Sequence, residues 1–457
     1  MKVFLSLLLL LPACVSKNNN RGVASDIAMK EKLKSVFQSS VFYGDQKPEK
    51  MEITETVYSP ILVAAQSSLL SRPGGAIATW YSDQVSRKVK NPEFREYSLP
   101  PTGWNSACNK NMSAYYKKGE TTEPTFVVIP GSFASWTHRS FNFQTADYLK
   151  KIYPKANILS FAGYLSKQTL EKSCDGIPWD GESYARDLRQ RILQFLDSQF
   201  VDKSKVGVIG YSGGAYLASM MLGLDGEVRP QKRLFSLGGI AFNPVLDSHT
   251  TFDNIDKGLN KSQIPFNRHL MSPGWWEGSK NLIQFFNPTG NGRKNLSKKM
   301  ASSDEFEDLF FNMFHDSLRA IVSKTLGESV AANNEMTYLN VFVNLGFGKD
   351  NPSVKKEDWL KRFKIKTNVA PTVEKAVNDL VIIFPQDDPL LSALPGNPQP
   401  LAINETIQRL RENPKIIVFN PKYGGHTGAL LDRPFWDNLI ATFFKEKLKE
   451  IRDSENH

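Results

Sequence analysis

Residues 210–214 read Gly210-Tyr211-Ser212-Gly213-Gly214, set between the apolar run "VGVI" and the helix-forming stretch "AYLASMMLG". A strand that turns directly into a helix brings backbones together two residues before and two after its apex, so only small residues fit there. The apex side chain is lifted above the carboxyl ends of the strands, where open α/β sheets place their ligands. A hydroxyl at that point is presented for attack on an electrophile.

A serine hydroxyl is a poor nucleophile until a base takes its proton. Of the six histidines, His426 in "NPKYGGHTGALL" is best placed: it lies in a Gly-rich loop after an apolar run and before the last long helical pattern. His138, His249, His269 and His315 read as polar surface or core histidines, and His457 is the terminal residue. The imidazole needs a carboxylate to orient it and to balance its charge. "VIIFPQDDPLLSALP" (381–395) offers two just past a strand end, of which Asp388, followed by Pro389, is preferred. Asp387 reads as a solvated or turn-capping residue, and it and Asp247 are the alternative acids. An oxyanion needs donors, and Gly213 supplies the backbone N–H that follows the serine. A second N–H is expected from "VVIPGSFASW" (127–136), with Ser132 preferred and Phe133 next. The chain contains no CxxC or HExxH, so neither a metal site nor a cofactor is expected.

The elements that must hold these residues are short β-branched runs alternating with amphipathic stretches, the pattern of a mostly parallel, doubly wound sheet. The runs are 125–131, 156–161, 205–212, 238–244, 379–385 and 415–420. Between them, 181–200 places Leu188, Ile192, Leu193 and Leu196 on one helical face, and 429–451 reads as a closing helix. Residues 51–123 are less regular and read as early antiparallel strands and loops at the sheet edge. The gap after Asn243 is too long for a loop and contains helical patterns such as 305–326, so it reads as a large, mainly helical insertion over 248–365. Its aromatics, among them Trp275, Trp276, Phe310 and Phe311, form the insertion's own core or line an acyl pocket beneath a lid.

The chain has 457 residues, 40% of them hydrophobic and 23% charged, which excludes a disordered or multi-span membrane protein. Its first residues, "MKVFLSLLLLLPACVSKNNN", set one Lys before an apolar run too short to span a bilayer as a mature helix but suited to a signal peptide. The Leu-Pro-Ala-Cys end resembles a bacterial lipoprotein signal, which implies cleavage of residues 1–13, acylation of Cys14 and a lipid-anchored place in the cell envelope. A plain secretory signal is the alternative. Residues 14–50 are then the lipidated cysteine and its tether, since "SKNNNRG" has nothing to bury. The formal net charge is +10, and +9 once the single Lys of 1–13 is gone. The charges are spread and no nucleic-acid module appears, so no nucleic-acid partner is expected. Cys108 and Cys174 remain as candidates for a disulfide, which across so long a loop adds about 4 kcal/mol.

With these residues in hand, 124–247 and 366–457 resemble the α/β-hydrolase superfamily. "GYSGG", "DDP" and "GGHTG" are similar to the motifs of its esterase and lipase branch, although Pro130-Gly131 stands where His-Gly is common. The resemblance implies an α/β-hydrolase core over 51–247 and 366–457. It also implies a serine hydrolase that cleaves small-molecule or lipid esters through an acyl-enzyme, in the chain order Ser212, Asp388, His426. The same machinery acting on amides, as a peptidase or amidase, and an inactive hydrolase-like binding lipoprotein are the alternatives.

Overall fold

A computed structural model describes residues 28–38, 93–103, 110–132, 141–166, 169, 181–261, 337, 339, 355–386, 388, 390–391, 401–421, 426 and 433–455. Cys14, Cys108, Cys174, Phe133, Asp387, the signal peptide and the aromatic-rich stretch of the insertion named above lie outside these residues.

Eight strands form one sheet: β1 (Arg95–Leu99), β2 (Met112–Lys117), β3 (Thr125–Ile129), β4 (Asn157–Phe161), β5 (Val206–Tyr211), β6 (Gly239–Phe242), β7 (Leu380–Ile383) and β8 (Ile416–Phe419). Their spatial order is β1-β2-β4-β3-β5-β6-β7-β8. β2 runs antiparallel to both neighbours, and every pair from β4 through β8 is parallel. A mostly parallel sheet in this order, wound on both faces by helices, is the α/β-hydrolase fold.

The helices in chain order are α1 (Phe141–Ile152), α2 (Gly181–Ser198), α3 (Gly213–Gly226), α4 (Ser248–Lys261), α5 (Lys356–Thr367), α6 (Ala370–Val373), α7 (Leu401–Glu412) and α8 (Arg433–Glu455). Alternate strand residues feed two cores, because successive side chains point to opposite faces. Val127, Ile129, Val208, Ala241 and Ile382 join residues of α2, α3, α5, α6 and α7 on one face. Phe126, Val128, Ile209, Ile240 and Val381 join α1 and α8 on the other, where Trp436 stacks on Phe242 at 3.7 Å. Both faces of β3 are buried, which explains its continuous apolar run; each such Val or Ile contributes about 1.5–3 kcal/mol on burial.

The second core also receives residues 28–38, which are helical and bury Met29, Leu33 and Phe37. The expectation that 14–50 is all tether is therefore corrected: apolar residues four apart put this stretch on the body of the protein. Both ends of the stretch 248–365 likewise lie in the core. Phe252 and Ile255 of α4 pack in the first core with Trp359 and Phe363 of α5. Among the described residues, no helix is long and apolar enough to cross a membrane, and no group of three metal-ligating side chains occurs.

Candidate active site

β5 is the third of the six strands in the parallel run, flanked by β3 and β6. It ends at Tyr211, and α3 begins at Gly213, so Ser212 alone makes the turn, with φ 53° and ψ −123°. That left-handed backbone is costly for a residue with a Cβ. It is held at both ends: the Ser212 N–H donates to the Phe242 carbonyl at 2.8 Å, and the Ser212 carbonyl accepts the Tyr216 N–H at 3.0 Å. The turn also requires its glycines. A Cβ on Gly210 would lie 2.4 Å from the Gly214 carbonyl oxygen, and one on Gly214 would lie 2.2 Å from the carbonyl oxygens of Ile129 and Pro130.

Ser212 occupies the N-cap position of α3, yet its side chain makes no capping bond. It turns instead to His426, whose Nε2 lies 2.8 Å from Ser212 Oγ. On the other side of the ring, Nδ1 lies 2.7 Å from Asp388 Oδ2. The imidazole and the carboxylate are buried, at 4% and 1% exposure, so the pair is shielded from the water that would otherwise weaken it. Asp388 is fixed by its own turn. Its Oδ1 accepts the Leu390 N–H at 2.9 Å, and its backbone N–H and C=O bond to Pro385 and Leu391. His426 is braced by Tyr211, whose hydroxyl donates to the His426 carbonyl at 3.3 Å and whose ring lies 5.5 Å from the imidazole.

The three side chains singled out in the sequence are thus brought together from three loops, each beyond the carboxyl end of a parallel strand. Asp247 is engaged elsewhere: it accepts the Thr250 N–H and the Asn368 side-chain amide. His249 packs near Phe363, where burial and then Lys364 push its imidazole below the usual histidine range.

Gly131 lies opposite the serine, where a Cβ would make ordinary van der Waals contact with Ser212 Cβ at 3.4 Å. Ser132 is buried beside Gly213, with its Oγ 1.8 Å from where a Gly213 Cβ would stand, so a larger residue at 213 would have to displace the Ser132 side chain. The loop is held from below by the Leu165 N–H, which donates to the Ser132 carbonyl at 2.8 Å. Tyr164 stands on the same side. Burial pushes its phenol above the usual range, opposed by a hydrogen bond to Ser132. No acceptor among the described residues takes the amide N–H of Gly213 or Ser132. The uncapped first turn of α3 therefore offers donors and the positive end of a helix dipole to an anion formed near Ser212 Oγ.

Sequence reasoning missed Asn243, which the geometry places against Asp388 at 3.4 Å. Nothing in the run "GGIAFNP" separates it from an ordinary strand end.

No protein-family model matches the chain, and no curated protein matches it. Among solved structures, it is similar to an acylaminoacyl peptidase of Pyrococcus horikoshii (14% identity, 80% of this chain and 42% of that one, TM-score 0.40). It is also similar to an esterase of Pyrococcus furiosus (13%, 79% and 96%, TM-score 0.39) and to esterase B of Lactobacillus rhamnosis (12%, 87% and 98%, TM-score 0.38). The chain thus spans less than half of the peptidase and nearly all of each esterase. The fold assignment rests on the strand order described above, not on these likenesses.

Proposed function

We propose that this protein is a serine hydrolase that cleaves carboxylic esters, of small molecules or lipids, through an acyl-enzyme. The observation that carries the reading is the continuous line from Ser212 Oγ through His426 to Asp388, with bonds of 2.8 and 2.7 Å, at a strained strand-to-helix turn. In this reading His426 Nε2 takes the Ser212 proton as Oγ attacks the carbonyl carbon, and Asp388 stabilises the imidazolium. The tetrahedral oxyanion is met by the Gly213 and Ser132 N–H groups, each worth about 3–4 kcal/mol to the transition state. His426 then protonates the departing alcohol and afterwards activates the water that releases the acid.

The same groups can expel an amine, and a peptidase or amidase is the second reading. An inactive, binding role is disfavoured by the intact relay. Esters and amides sharing one acyl group separate these readings: faster turnover of the ester supports the first, faster turnover of the amide the second, and no turnover of either by a folded protein removes both.

We also propose the domain plan of two core segments, 51–247 and 366–457, around an insertion over 248–365, and a lipid anchor at Cys14 in a bacterial envelope. Its support is the N-terminal sequence pattern. Incorporation of labelled palmitate that disappears in Cys14→Ser is the expected result; equal labelling of both forms contradicts it.

A further inference from the structure

We infer that Asn243 is a positioning residue for the relay, holding the Asp388 carboxylate in the orientation that receives His426; the inference rests on the hydrolase reading above. β6 ends at Phe242, and Asn243 follows with φ 50°, one of three described non-glycine residues with positive φ. Asparagine tolerates that region better than most residues with a Cβ. The unusual backbone links three parts of the site. The Phe242 carbonyl accepts the nucleophile's N–H at 2.8 Å, and the Asn243 N–H donates to the Ile383 carbonyl at 2.6 Å, tying β6 to the strand that leads to the acid. The Asn243 side chain, fully buried, then donates from Nδ2 to Asp388 Oδ2 at 3.4 Å.

Oδ2 is also the oxygen that faces His426 Nδ1, whereas Oδ1 is taken by the Leu390 N–H. A carboxylate oxygen can accept from two donors, so Asn243 and His426 share Oδ2 without competing. An amide is a donor that never ionises. It resists rotation of the carboxylate away from the imidazole. A leucine would supply no such donor, so the requirement here is for the amide and for the backbone angle together.

The test compares wild type with Asn243→Gly, which keeps the positive φ and removes the amide, and with Asn243→Asp, which keeps shape and backbone preference and replaces the donor. Turnover of a short-chain ester is followed against pH, with melting temperature recorded. Asn243→Gly is expected to lower kcat about 10- to 100-fold with KM nearly unchanged, as for a misplaced relay. Asn243→Asp is expected to move the acid limb of kcat/KM to higher pH. Once ionised, the added carboxylate strengthens the His426 imidazolium, which acts in that direction, and it repels Asp388 instead of donating to it, so kcat is also expected to fall. Should Asn243→Gly fail to fold, the Asn243→Asp profile decides. A folded Asn243→Gly with wild-type kcat, or a folded Asn243→Asp with wild-type kcat on the alkaline side where the added carboxylate is ionised, overturns the positioning role while leaving the hydrolase reading intact. Inactivity of the folded wild type overturns both.

Discussion

Asp247 and Asn368, 121 residues apart, face each other in an isolated antiparallel bridge, and Asn368 Nδ2 donates to Asp247 Oδ2 at 3.2 Å. The Val369 N–H, which donates to the Leu246 carbonyl at 3.0 Å, reinforces this bridge. Asp247 also accepts the Thr250 N–H at 2.7 Å, within the first turn of α4. Asp247→Ala is therefore expected to cost about 1–2 kcal/mol of stability, as for loss of a helix cap. Its ester turnover is expected to stay near wild type. Denaturant titration and initial rates check both; a collapse of kcat in a folded variant would return Asp247 to the list of candidate acids.

Much of this was legible in the sequence because burial leaves a simple trace. Strands covered on both faces show unbroken apolar runs, and all six runs marked in the sequence are strands of the parallel part of the sheet. β1 carries Arg95 and Glu96 at an exposed edge, so its trace is weaker and its bounds were not read. The helix over 28–38 was overlooked because its three buried residues sit among lysines and follow a polar segment. Ser212 was marked by glycines that its tight turn demands, and His426 by the glycines beside it in the sequence. Asn243 had no such mark: its role depends on a backbone angle and on the alignment of β6 with β7, neither of which a local pattern encodes.

Asp388→Asn tests the orienting acid. An amide in place of the carboxylate no longer balances the imidazolium and favours the wrong ring tautomer, so kcat is expected to fall about 10⁴-fold with little change in melting temperature. A fall of less than tenfold would argue that another acid serves His426.

The glycines of the turn are tested by Gly214→Ala. The new methyl would meet the Ile129 and Pro130 carbonyl oxygens at 2.2 Å, and backbone cannot yield as a flexible side chain does. Overpacking of this kind costs about 1–3 kcal/mol, and here it also displaces the loop that carries Ser132. Loss of both stability and kcat is expected; wild-type values for both would contradict the close approach.

Away from the site, Glu227 joins α3 to α2 and to the turn after α6 through Arg186 at 2.6 Å and Lys375 at 2.7 Å. Burial alone would raise its carboxyl, but Lys375 and Arg186 outweigh it and hold the group below the usual range. A lowered folded value means that this contribution, about 1 kcal/mol for partly exposed pairs, is present above the ordinary carboxylate pKa and is lost as pH falls through the lowered one. The stability gap between wild type and Glu227→Gln should therefore be full near neutral pH and shrink in acid. A gap independent of pH would show that the loss is one of packing, not charge.

The most direct test of the central claim is labelling with a fluorophosphonate, which reacts with serines activated by a neighbouring base, followed by mass spectrometric location of the adduct. The adduct is expected on Ser212, absent in Ser212→Ala and strongly reduced in His426→Ala. A folded wild-type protein that stays unlabelled, or that is labelled at Ser212 equally well without His426, would contradict it.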